Sequence, residues 1–287
     1  MKQRLWAGIK LFFLNPRSRI RFNQLSICLF LFFFAQCSSS FELGTTNPGV
    51  YWILTQLNAE IDPVDYLSST NIEPELYEPT PRDFLQVRHM QIWIETDTPG
   101  DRRLAKHFRD IGISIFQPET IHNIWDPHFW LSPSMMGQLT KELYNYLRVH
   151  DPIHQLKYMH NYQNTIRIID RISSDLNSQF KNSRLSKHEI IIIHPSLSFF
   201  CKEFNLIQIP IALEGGEPGL KEILAIREEI AKKQITTIFV EPQFSSRSVF
   251  EVMGDDHKVK LVSLNTLDTD WPRMMYSIAS KVHESLR

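Results

Sequence analysis

The sequence predicts an α/β protein: two lobes of parallel sheet flanked by helices and joined by one long rigid α-helix. Short β-rich runs alternate with helical stretches through the second and third hundreds of residues, the pattern of an α/β fold. Runs such as Ile190-Ile-Ile-Ile193 are apolar without alternation, as strands covered on both faces of a parallel sheet are. From Asp151-Pro152 to about residue 182, Leu156, Met159, Tyr162, Ile166, Ile169, Ile172, Leu176 and Phe180 recur at steps of three and four, a helical stripe too long for an ordinary crossover.

The N-terminus reads as an address, not as fold. Residues 1–22 carry Lys2, Arg4, Lys10, Arg17, Arg19 and Arg21 and no acid, and a nearly all-apolar run ends at Ala35-Gln-Cys37. A basic segment, a short apolar core and small residues make a signal peptide. The apolar run, about 11 residues, is short of the roughly 20 that span a bilayer. Phe34-Ala-Gln-Cys37 resembles a bacterial lipobox, which makes Cys37 the expected lipidation site, with Ser38, Ser39 and Ser40 opening a flexible tether. The expected divisions are a signal peptide with lipobox over 1–37, a tether over 38–47, an N-terminal lobe over 48–150, a linking helix over 151–182 and a C-terminal lobe over 183–287.

Strands are expected at 91–95, 111–116, 189–193, 207–213, 236–240 and 260–264, with helices at 219–233 and 271–286. Asp151 is the expected N-cap of the long helix and Pro152 its first residue; at about 1.5 Å per residue it would run roughly 45 Å. Trp93, Trp125 and Trp130 are read as core. Of three cysteines, Cys28 leaves with the signal and Cys37 carries lipid, so Cys201 stands alone and no disulfide framework holds the fold. A formal charge of −1 and a pI near 6.8 supply no electrostatic footprint for nucleic acid.

Strand ends are where α/β folds place their chemistry. His194 follows the 189–193 strand, Asn265 follows the 260–264 strand, and His128 sits in the proline-bracketed Asp126-Pro-His-Phe-Trp-Leu-Ser-Pro133. Glu73-Pro-Glu-Leu-Tyr-Glu-Pro-Thr-Pro81 is a second proline-stiffened segment, rich in carboxylates. His150 and His154 read as solvated, and Glu241 as either a structural hydrogen-bonding residue or a support for a ligand. No nucleophile elbow, phosphate loop or dinucleotide fingerprint is present, and no enzyme is expected.

Five segments in order resemble one family, the cluster A-I zinc and manganese substrate-binding proteins of metal ABC importers. Asp126-Pro-His-Phe-Trp-Leu-Ser-Pro133 is similar to its D-P-H-x-W-L-D-P, and Tyr77-Glu-Pro-Thr-Pro81 matches its Y-E-P-T-P. His194-Pro-Ser-Leu-Ser-Phe-Phe-Cys-Lys-Glu-Phe204, Leu213-Glu-Gly-Gly-Glu-Pro218 and Phe239-Val-Glu-Pro-Gln-Phe-Ser245 resemble three further motifs. The resemblance implies an importer permease as partner, a lipid-anchored monomer outside the cytoplasmic membrane, and metal ligands at Glu75, His128, His194 and Asn265. Two positions depart from the pattern: Glu75 stands where the family has His, and Asn265 where it has an acid. Glu binds zinc through oxygen, whereas a neutral amide is a poor ligand, so Asn265→Asp is expected to tighten binding unless Asp268 or Asp270 already fills that corner. Two imidazoles and one carboxylate favour Zn²⁺, with Mn²⁺ the alternative. The departures also leave open a relative with weak or lost metal binding that serves as a surface or partner-binding lipoprotein.

Overall fold

The structure is a computed structural model that describes residues 41–67, 72–181, 185, 188–211, 220–243 and 259–287. The signal peptide, Cys37 and the Leu213–Pro218 motif lie outside the described residues. In the first half, β1 (Leu43–Thr45), β2 (Val64–Tyr66), β3 (Ile92–Ile94) and β4 (Ser114–Phe116) form a sheet in the order β2-β1-β3-β4. In the second, β5 (Glu189–Ile192), β6 (Ile207–Pro210), β7 (Thr237–Val240) and β8 (Lys260–Ser263) repeat that order as β6-β5-β7-β8. Every pairing is parallel, with Leu43 opposite both Val64 and Ile92, and Ile191 opposite Ile209 and Ile238. Each sheet therefore reverses its winding beside its first strand, and the crevice at the carboxyl ends there is where such folds bind ligands.

Eight helices are described: α1 (Pro48–Leu57), α2 (Pro81–Gln86), α3 (Pro99–Asp110), α4 (Pro133–His150), α5 (Gln155–Lys181), α6 (Ser198–Phe204), α7 (Leu220–Lys233) and α8 (Trp271–Ser285). The N-termini follow one recipe. Asn47, Thr98 and Ser132 each accept a first-turn backbone N–H on a side-chain oxygen, and each is followed by proline. The side chain satisfies a donor the helix leaves open, and the proline needs none.

Four expectations are corrected. Leu43–Thr45, placed in the tether by sequence, is an interior strand, and neither its Leu-Gly-Thr nor the Val-Asp-Tyr of β2 carries the apolar run that marks a strand. The 111–116 strand begins only at Ser114, because Ile111 caps α3 and Gly112 turns the chain at φ 85°. Asp151 does not cap the linking helix: residues Pro152–His154 form a 3₁₀ turn before α5, and the Asp151 carboxylate instead takes the Tyr158 hydroxyl at 2.9 Å and His154 Nδ1 at 2.7 Å. Trp125 is 71% exposed, with its ring 5.4 Å from that of Phe199.

The linking helix has 27 α-helical residues. Its buried stripe, Tyr158, Thr165, Ile169, Ile172, Leu176 and Phe180, belongs, Thr165 apart, to one apolar cluster that takes in α1, α4, α6 and α8. Each such large apolar side chain contributes about 1.5–3 kcal/mol by leaving water, so the helix is held along its length against both halves. No helix among the described residues is long and apolar enough to cross a membrane.

Candidate metal centre

Three turns at the carboxyl ends of the strands converge. The first is the 3₁₀ turn Pro74–Leu76, which puts the carboxylates of Glu73 and Glu75 on either side of a proline. It is seated by Tyr77, which is buried, and by Gly100 in the first turn of α3. A Cβ on Gly100 would lie 2.0 Å from the Tyr77 carbonyl oxygen, so only glycine lets the turn lie this close. The second turn is Asp126-Pro-His128. Asp126 Oδ1 accepts the His128 backbone N–H at 2.8 Å and its Nδ1–H at 2.7 Å, and thereby directs Nε2 away, the arrangement by which a carboxylate orients a ligating imidazole. The third is the exit of β5, where His194 is 2% exposed.

The ring nitrogens meet: His128 Nε2 and His194 Nε2 are 3.2 Å apart. Glu73 Oε2 lies 3.4 Å from the first, and Glu75 Oε1 3.2 Å from the second. Bonds of about 2.0–2.1 Å to a tetrahedral zinc ion put neighbouring ligand atoms about 3.3 Å apart, and all three spacings agree with that edge. Glu73, His128 and His194 offer ligand atoms within 4.8 Å of one another and all three are buried. The donor set of two nitrogens and two carboxylate oxygens suits Zn²⁺, and its second carboxylate moves it towards Mn²⁺.

The electrostatics ask for a cation. Burial alone would lower the His128 pKa, but hydrogen bonds to Asp126 and Glu73 outweigh it and hold the ring up at about 10. Burial, with the positive His128 alongside, pushes His194 down to about 4, so that nitrogen keeps its lone pair at neutral pH. Burial raises Glu75, opposed by the His128 charge. Beneath His194, Ser196 Oγ donates to Glu241 Oε1 at 2.6 Å, and burial raises that carboxyl to about 7.

The sequence expectation named four residues, and the structure draws three of them together: Glu75, His128 and His194. Asn265 is exposed, and its Oδ1 accepts the Leu267 backbone N–H at 3.1 Å. The two acids that could have been recruited are engaged as well: Asp268 pairs with Arg273 at 2.8 Å, and Asp270 caps α8. Sequence reasoning missed Glu73, whose Oε1 accepts a short hydrogen bond from Gln243. The sign was available, because a proline between two glutamates in a tight turn keeps their side chains close. Gln243, brought from the end of β7, carried no sign of its own.

Beside the cluster, Glu75 lines a cavity of about 380 Å³ with Thr96, Asp97, Thr98, Ile124 and Pro127. Glu75 is the half-buried member, at 26% exposure, and so lies between the buried cluster and the outside.

The family described as zinc-uptake complex component A, periplasmic (ZnuA) matches residues 45–285. The chain belongs to that family. This ZnuA-family chain is 23% identical over 252 residues to the high-affinity zinc uptake system protein ZnuA of Bacillus subtilis, covering 78% of the chain and 77% of that protein. It is 21% identical over 264 residues to the zinc-binding lipoprotein AdcA of Streptococcus pneumoniae, covering 82% of the chain but 51% of AdcA, so it spans about half of that relative. A crystal structure of ZnuA superposes with a TM-score of 0.80 at 21% identity, over 86% of this chain and all of that one (100%), which shows the shared fold.

Proposed function

We propose that the chain is the extracytoplasmic substrate-binding component of a zinc ABC importer and holds one Zn²⁺ as cargo between Glu73, Glu75, His128 and His194. The facing of two imidazole nitrogens at 3.2 Å, one from each half of the chain, carries this reading. A protonated His128 can donate across that gap to His194, but His128 is buried against two carboxylates, and a metal cation there satisfies both rings and both acids together. Mn²⁺ is the competing cargo, favoured by the second carboxylate. Family membership supports a permease as the receiving partner.

The export reading rests on the basic segment, apolar core and Cys37, with the resemblance to AdcA, named a lipoprotein, in support. Cys37 would carry the lipid and hold the chain on the outer side of the membrane. Cys37→Ala should move the protein from the membrane fraction to the soluble one.

Chelator-competition titrations test the site. His128→Ala and His194→Ala should each weaken zinc at least tenfold, since each removes one of four ligands. Zinc binding in the double variant equal to that of the native chain would sink the assignment.

A further inference from the structure

Three of the four most exposed large apolar side chains among the described residues gather where α4 hands over to α5. Ile153 is 82% exposed, Leu156 72% and Val149 64%. Three such residues within eight positions form a patch, and patches of this kind mark interaction sites. The charged side chains that these two helices add around them are mainly basic. Between residues 143 and 169 stand Arg148, Lys157 and Arg167, and the one acid is Asp151. That acid is buried and taken up by Tyr158 and His154. Two exposed bases, Arg148 and Lys157, thus flank the apolar side chains, and beside Lys157 stands the exposed Glu60 of the loop after α1.

The patch lies at the end of the molecule where the chain enters the fold. Phe41 donates its backbone N–H to Asp62 Oδ2 at 2.6 Å, and Asn58 Nδ2 reaches the Asp62 carbonyl at 2.6 Å. Asn58 Oδ1 lies 3.2 Å from the Tyr158 hydroxyl, and Lys157 Nζ bonds the Glu60 carbonyl at 2.8 Å. Phe41 precedes β1, so this is the amino edge of the first sheet, while the metal centre is at the carboxyl edge. Phe41 is four residues after Cys37, at most about 14 Å of extended chain.

We infer that Val149, Ile153 and Leu156 with Arg148 and Lys157 form a docking surface for an anionic phospholipid bilayer, which holds the anchored protein, while it is not docked on the permease, with its metal cleft turned away from that membrane. Shallow insertion of apolar side chains beside lysine and arginine is how interfacial helices hold anionic lipid. The short link to Cys37 keeps the surface near the bilayer at high effective concentration. This orientation rests on the lipid-anchor reading; the affinity of the patch for anionic lipid does not.

Hydrogen exchange of the lipidated chain on vesicles of phosphatidylcholine with a third phosphatidylglycerol should show residues 148–157 slowed at least threefold relative to phosphatidylcholine alone. Ile153→Asp with Leu156→Asp should remove the protection while leaving zinc affinity intact. The chain from residue 38, which keeps every described element, should pellet several-fold more with phosphatidylglycerol vesicles at low salt than with phosphatidylcholine. If that preference holds while the full chain leaves the vesicles, the anchor reading falls and the docking surface stands. Equal exchange on both vesicle types together with no lipid preference overturns the inference. Protection that appears without vesicles and grows with protein concentration overturns it in favour of a second copy on the patch.

Discussion

Trp271 donates its Nε1–H to the carbonyl of Trp130 at 2.6 Å, and Trp130 donates its own to the carbonyl of Thr266 at 2.8 Å. The two indoles are fully buried, and the pair of bonds clasps the loop that follows His128 to the segment that follows β8. The two halves of the site are thus tied together beside the ligands, in addition to the linking helix behind.

Trp271→Phe should therefore cost about 2–4 kcal/mol: a buried acceptor loses its donor and a cavity opens. Urea unfolding checks the value, and a loss below about 0.5 kcal/mol would mean the clasp carries no strain between the halves. Zinc affinity should fall less than in either histidine variant, because no ligand is removed.

Glu73 and Asn265 separate two ligand sets. Glu73→Gln should weaken zinc about tenfold or more, since it removes a buried charge 3.4 Å from His128 Nε2. Asn265→Asp should leave affinity within about twofold, because the side chain is exposed, engaged with Leu267 and screened by solvent. Isothermal titration of both variants decides; a tighter Asn265→Asp protein would bring residue 265 back among the ligands.

Gly100→Ala should destabilise the protein and weaken zinc together. The added Cβ meets backbone, not a movable side-chain end, 2.0 Å away at Tyr77, so the turn bearing Glu73 and Glu75 must shift. Thermal unfolding with and without zinc reads both effects, and an unchanged protein would show that the turn is not seated on α3.

Asp101 supplies a pH test away from the ligands. Its carboxylate takes the Thr96 N–H at 2.5 Å, the Thr96 hydroxyl at 2.8 Å and the Trp93 indole N–H at 2.8 Å. Burial nevertheless raises its pKa to about 6. A folded pKa above the unfolded one gives stability that is full below about 4 and is lost as pH rises through about 6. Asp101→Asn removes that dependence along with the hydrogen bonds. The variant should be less stable throughout, and its deficit against the native chain should shrink as pH goes from 4 to 7. A deficit that grows over that range, measured by urea unfolding, would mean the three donors keep the carboxylate charged.

The class of fold, strands β3 to β8 and the linking helix were legible because burial on a regular backbone marks the sequence, as the apolar run Ile190 to Ile193 and the stripe Ile169, Ile172, Leu176 and Phe180 show; Leu156 and Met159, read into that stripe, are exposed. The strands β1 and β2 were not legible: Leu-Gly-Thr and Val-Asp-Tyr carry no apolar run, and their place in the sheet comes from pairing with β3 and with each other.

The sequence by itself determined that His194 stands at the end of a strand and His128 in a proline-bracketed turn, since proline and strand limits act on neighbouring residues. Only the tertiary structure decided what stands beside them. It put Glu73 rather than Asn265 at the cluster, turned Trp125 out to solvent and left Asp151 to Tyr158 instead of a helix end. For Glu73 the choice is made by Gln243, 170 residues away in the chain, and a hydrogen bond across such a distance leaves no mark on the local pattern; for Asp151 it is made by packing that brings the Tyr158 hydroxyl and the His154 ring to its carboxylate.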